Sequence, residues 1–272
     1  MHLGLHYGLE VSSSFKPLHL SDIKTTGGSV GGLQLHAIRG AGIVLNGSNV
    51  ADWENQAKSV SGNTDKQREF YQANAAFQPA LDNGFLDFDS SVPHRFEMFN
   101  ERGSGFVAFD DFCFFLVITP KNLSANNTFF GSSTSSNNFI RSQNNGAKIR
   151  FRGRTSGNDH LLTLPGSNIL EEDKINILMF HRNAEDVTVK LVTEEGDVTS
   201  TLTQTDTETS FENPIDINRF GVQAGITSPF DGILHEIVMY DYAVTTADQD
   251  EILNILAVSY THLRAHETRH DL

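Results

Sequence analysis

A chain of 272 residues is long enough for one large β-domain or two small ones, and a 38% hydrophobic share that includes 20 Phe can fill a substantial core, which excludes a disordered chain. The formal net charge of −14 argues against nucleic acid and anionic membrane as partners, because both are bound through Lys and Arg. Cys113 is the single cysteine, so neither an intrachain disulfide nor a thiolate metal cluster can form, and its setting in FDDFCFFLVITP predicts a buried side chain. No apolar run approaches the roughly 20 residues of a membrane-spanning helix. The N-terminus MHLGLHYGLEVSSSF lacks the basic region and continuous apolar stretch of a secretory signal. The expectation is an acid-surfaced protein made in a cytoplasm, without membrane insertion or export by that route.

Residues 1–32 contain Gly4, Gly8, Ser12, Ser13, Ser14, Pro17 and the GGSVGG stretch at Gly27 to Gly32. They read as an extended arm ending in a flexible joint, whose short apolar pieces suit packing on a partner chain or on the domain itself. Strands begin at Leu33 with LQLHAI, GIVLNG and VADWENQ, each bounded by Gly, Asn or Ser, and Trp53 is a core anchor. Asn55 to Gln72 is polar and aperiodic, a long surface excursion. In the following FQPALDN, GFLDFDSS and HRFEMF, Asp87 and Asp89 share the face opposite Leu86 and Phe88. Two carboxylates so placed are candidate Ca²⁺ ligands together with loop carbonyls. The plainer reading is a solvated strand face.

Phe112 to Thr119, FCFFLVIT, is the most apolar run and is predicted to be the central strand. Asn, Ser and Gly then dominate around TFFG and NFIRS, short edge strands joined by turns. Lys148 to Arg154, KIRFRGR, alternates basic with apolar residues, as a phosphate or acidic-glycan contact or, more plainly, a solvated strand face. HLLTL, INILMFHRN, DVTVKLVT and DVTSTLTQT follow, the last two joined by a hairpin at Glu194 to Asp197, and then INRFGVQA. The stretch Phe230 to Leu256 closes the pattern with a turn, a strand to Tyr240 and a helix capped by Thr245 and Asp248 that places Ile252, Leu253 and Leu256 on one face. Many short strands and one short helix predict an all-β, two-sheet antiparallel sandwich.

Glu236 beside Asp231 and Asp241 is the densest acidic cluster and a second Ca²⁺ candidate set. Its plainer reading is a Glu hydrogen-bonded to a neighbouring loop at the sandwich rim. His36, His94, His160, His181 and His235 sit on different predicted strands without ligand spacing. The paired carboxylates of a retaining glucanase strand do not occur, nor do G-x-S-x-G, a phosphate-cradling Gly-Lys-Ser/Thr loop or H-E-x-x-H. The sequence therefore predicts no catalytic residue and no enzyme.

The closing stretch resembles the end of concanavalin A-like and laminin G-like (LamG) jelly rolls, F-x-G-x-I-D-E-V-x-I-Y-[DN]-x-x-L-[ST]. Phe230, Gly232, Leu234, Glu236, Ile237, Met239, Tyr240, Asp241, Val244 and Thr245 fall on that pattern, while His235 replaces its acidic residue and weakens any carry-over of a metal role. The front half, with its G-L-x-x-G-L arm, LQLHA, LNGSNVADWENQA and FQPALDNGFLDFDSS, resembles the same fold in virion proteins of marine bacteriophages. The resemblance implies a lectin-like jelly-roll module on a phage tail, fibre or capsid surface, binding host glycan or another virion protein, in a particle where homo-oligomers are common. A bacterial extracellular adhesin and a divergent glycoside hydrolase are the alternatives. Residues 258–272, VSYTHLRAHETRHDL, resemble instead a translated transposase sequencing adapter. The expectation is one jelly-roll domain over residues 33–257 and a non-native tail, with the natural frame cut near Ala257; the competing reading of the tail is a His-rich metal-binding segment.

Overall fold

The computed structural model describes residues 33–38, 40–54, 56, 69–99, 111–153, 159–163, 170–184, 186–193, 198–205 and 215–270, so the arm predicted over 1–32 lies outside it. The first strands are β1 (Leu33–Ile38), β2 (Ile43–Asn46), β3 (Asn49–Trp53), β4 (Glu69–Tyr71), β5 (Ala80–Asp82), β6 (Phe85–Phe88) and β7 (Phe96–Phe99). Then come β8 (Phe112–Pro120), β9 (Asn127–Gly131), β10 (Phe139–Gln143), β11 (Lys148–Arg152) and β12 (Asp159–Thr163). The chain closes with β13 (Asn176–Asn183), β14 (Asp186–Thr193), β15 (Val198–Thr205), β16 (Arg219–Phe220), β17 (Gly232–Tyr240) and the helix α1 (Thr246–His270).

Neighbouring strands pair antiparallel throughout. One sheet runs β15, β14, β13, β8, β17, β1. The other runs β2, β3, β4, β7, β16, β9, β10, β11, β12. The short β5–β6 pair links them, because β5 touches β3 while β6 pairs with the start of β17. Gly232 begins β17 at φ 154°, where an added Cβ would collide with the Thr119 carbonyl of β8.

The sheets pack face to face through alternate side chains. β8 sends Phe112, Phe114, Leu116 and Ile118 into this layer, and Phe130, Ile140, Phe151 and Phe220 meet them from the opposite sheet. The rings of Phe114 and Phe130 lie 5.4 Å apart, and those of Phe151 and Phe180 meet edge-on at 5.8 Å. Trp53 is fully buried, as expected of an anchor, and its indole N–H donates to the carbonyls of Ile38 and Ala41 at 3.2 and 3.1 Å. The molecule is the two-sheet antiparallel sandwich that its sequence pattern predicts, and the jelly roll that the resemblance implies.

The outer face of the first sheet is covered by α1. Cys113, Phe115, Val117, Ile177, Met179, Val238 and Tyr240 form a second apolar layer against Ile252, Leu253 and Leu256 of the helix. Burial on both faces explains why β8 and β13 read as unbroken apolar runs. The helix starts as predicted, with Thr245 Oγ1 accepting from the Asp248 amide at 3.3 Å and donating to Asp248 Oδ2 at 2.6 Å. It continues without a break past Ala257 to His270, and Tyr260 is buried against the sheet. One expectation is corrected within Asn55 to Gln72. The end of that stretch is β4, which pairs with β3 and β7 and buries Phe70 completely.

Candidate functional site

The acidic residues singled out by the sequence are separated by strand geometry. Asp231 precedes β17 and Asp241 follows it, so nine extended residues at roughly 3.3 Å each hold them about 30 Å apart with Glu236 midway. The predicted cluster of Asp231, Glu236 and Asp241 is corrected on that ground, because no ion can touch all three. Asp241 is exposed at the end of the strand. Glu236 is 4% exposed, with Oε1 2.7 Å from His36 Nε2 and Oε2 accepting from the Tyr260 hydroxyl at 2.9 Å. Both its oxygens are thus engaged in tying β1, β17 and α1 together. Beside it, His235 Nε2 lies 2.9 Å from Thr119 Oγ1, and its ring meets those of Phe85 and Tyr260 edge-on.

Asp87, Asp89 and Asp231 do gather at one rim, since Asp87 pairs with Ile233 at the start of β17. Asp87 is bound to Lys121 Nζ at 2.6 Å, and Asp231 Oδ2 accepts from Ser90 Oγ at 2.7 Å. Asp89 lies in the turn after β6, where hydrogen bonds from Ser91 hold its carboxyl below the usual carboxylate range. A cation from Lys121 therefore already serves this rim. Among the described residues, no group of three or more His, Cys, Asp or Glu is placed to hold a metal ion.

The outer face of β10 and β11 in the second sheet has the opposite charge. Ile149 and Phe151 of β11 point into the core, which leaves Lys148, Arg150 and Arg152 on the far side, half-buried. Register sets Arg141 of β10 opposite Arg150, Phe139 opposite Arg152 and Gln143 opposite Lys148. The Phe139 ring lies beneath the guanidinium groups of Arg141 and Arg150, 4.4 and 5.9 Å from its centre. Arg141 also reaches Gln223 Oε1 at 3.3 Å.

Arg219 of β16 and Arg95, just before β7, continue the row and share Glu97, whose carboxylate accepts from Arg219 Nε at 2.7 Å and faces Arg95 Nε at 3.5 Å. Burial, followed by the charge of Arg219, pushes the Arg95 guanidinium below its ordinary range. Arg95, Arg141, Lys148, Arg150, Arg152 and Arg219 thus share this side of the sheet with Glu97, and register brings Asp159 of β12 next to Arg152. In a chain of net charge −14, this is a concentrated basic surface. KIRFRGR is its sequence-legible strand; the contributions of β10, β16 and β7 come from remote positions that only pairing brings together.

No protein-family model matches the sequence, and no curated protein matches it. Among solved structures, a GH54 α-L-arabinofuranosidase soaked with a cyclic sulfate inhibitor is similar at a TM-score of 0.50 and 11% identity, over 84% of this chain and 59% of the enzyme. That likeness shows the fold, and the chain spans 59% of the enzyme's length. The CBM40 of a Ruminococcus gnavus IT-sialidase, bound to α2,3-sialyllactose, is similar at a TM-score of 0.40 and 16% identity over 54% of this chain and 83% of that one. A heptameric SAP-like pentraxin of Limulus polyphemus gives a TM-score of 0.41 and 12% identity over 57% and 72%.

Proposed function

We propose that this protein is a non-enzymatic glycan-binding module whose ligand is an acidic polysaccharide lying across β10 and β11. The observation that carries the proposal is the basic row of Arg141, Arg150 and Arg152 seated around the Phe139 ring. Guanidinium groups suit carboxylates and sulfates, because their planar forks donate two parallel hydrogen bonds. Stacking on Phe139 holds two of these forks in place before a ligand arrives, which lowers the entropy lost on binding. Half-burial strengthens their attraction for an anion relative to open water. The non-enzymatic reading is supported by Glu236, the one strongly buried carboxylate of the predicted set, whose two oxygens are both bonded within the protein.

The proposed setting follows the sequence resemblance: a phage virion surface, with a bacterial adhesin as the alternative. Retention on immobilised chondroitin sulfate and polygalacturonate, with laminarin as neutral control, tests the ligand class. The wild-type chain is expected to bind both acidic polymers and to elute as salt rises. The double variant Arg141→Ala/Arg150→Ala is expected to bind at least ~10-fold more weakly, a loss of about 1.4 kcal/mol. Equal retention on laminarin, or none on either acidic polymer, overturns the proposal. Mass spectrometry of purified particles tests the setting, and absence of the protein from them removes the virion role.

A further inference from the structure

On the other side of the sandwich, the first turns of α1 leave a cleft of about 620 Å³ over the outer face of β13 and β14. Its floor holds two buried polar groups with unused capacity. The Lys190 side chain is 4% exposed, and Asp250 Oδ1, at 2.5 Å, is the one hydrogen-bond partner of its ammonium among the described residues. His181 is 8% exposed, and its Nε2 has no hydrogen-bond partner there. Register places Lys190 opposite Met179 and His181 opposite Thr188, so the two side chains are diagonal neighbours on one face, within roughly 8 Å. An ammonium has three N–H donors, and leaving such groups buried without acceptors is costly. Asp186 and Asp250 supply acceptors at the border, while the exposed amides of Asn183 and Asn254 can donate or accept.

We infer that this cleft is a second binding site, for a neutral saccharide of one or two sugar units. Sugar hydroxyls both donate and accept, which matches a border of ammonium, imidazole, carboxylate and amide groups. The volume lies in the range of small-ligand sites. Lys190 is paired with Asp250, and Asp186 adds a second carboxylate to the border, so an anionic sugar is disfavoured here, in contrast to the basic face on the second sheet. The cleft shares no residue with that face, and this inference stands independently of the acidic-glycan proposal.

Saturation-transfer NMR on the full chain with lactose, maltose and cellobiose, and with glucuronate as the anionic probe, tests it. At least one neutral disaccharide is expected to bind, at least tenfold more weakly to Asn254→Trp, which fills the cleft from an exposed helical position. Arg150→Ala, on the opposite sheet, is expected to leave that binding unchanged. Lys190→Met is a second probe of the floor, to be read only if its melting transition stays cooperative. Binding of none of the three disaccharides, binding indifferent to Asn254→Trp, or a preference for glucuronate at the same site overturns the inference. Loss of polygalacturonate binding in Arg150→Ala with disaccharide binding intact would separate the two sites.

Discussion

Burial pushes the His181 imidazole below the ordinary histidine range; the charges of Asp111 and Asp186 pull it up, that of Lys190 pushes it down, and Asp250 of α1, paired with Lys190, lines the same cleft. In the unfolded chain the ring titrates near ~6.5. Above that value neither form holds the proton, and the stability associated with this group is fully present. As pH falls through it, the unfolded chain takes up a proton that the folded site resists, so stability is lost toward the lower, folded value. Urea unfolding of His181→Gln between about pH 5 and 7 is expected to show a shallower decline than wild type. Some decline should remain, because burial lowers His94 as well. An unchanged slope would mean that His181 is solvated in the folded protein. At the rim of Asp87, Asp89 and Asp231, the Lys121 ammonium leads us to expect the same Tm in chelator as in millimolar Ca²⁺, and a rise of several degrees with Ca²⁺ would show a bound ion. Strand alternation set Asp87 and Asp89 on one face, but β6 ends at Phe88 and Asp89 lies in the turn beyond it, held by Ser91. Lys121 was not legible, because it comes from the end of another strand.

Among the elements, the helix start was legible and its docking was not. Thr245 and Asp248 announce a cap at a three-residue spacing, whereas His36 and Glu236 lie 200 positions apart and meet only because β1 pairs with β17. β4 was hidden by its brevity, a 3-residue strand at the end of a polar stretch. His181 was obscured because it follows the continuous apolar run Ile177 to Phe180 of β13, which carries no period-2 signal, whereas Lys190 alternates legibly with Val189 and Leu191 and only the β13–β14 register sets the two on one side. The Tyr260 hydroxyl bonded to Glu236 gives a direct test of docking. Tyr260→Phe is expected to cost about 1 kcal/mol in denaturant unfolding, the net value of one buried hydrogen bond. A chain ending at Ala257 keeps Ile252, Leu253 and Leu256 on the sheet, so it is expected to unfold cooperatively at a lower Tm. Failure of that chain to fold would make residues 258–270 an integral part of the domain.

For the whole molecule, the architecture was readable because many short strands with turn punctuation leave few alternatives to a sandwich. The order of strands within each sheet was not, since the pairings that join the consecutive-strand units, such as β1 with β17 and β16 with β9, are remote in sequence. Phe180 shows how far the aromatic layer carries stability. Its ring contacts those of Phe129, Phe130 and Phe151, and Phe180→Ala is expected to cost ~3–5 kcal/mol by urea or thermal melts. The basic row on β10 and β11 has a consequence for encounters in solution. In a chain of net charge −14, this row is a local field of opposite sign, so within about a Debye length a polyanionic surface turns the molecule with the basic row leading. Association should therefore slow steeply with ionic strength while dissociation changes less.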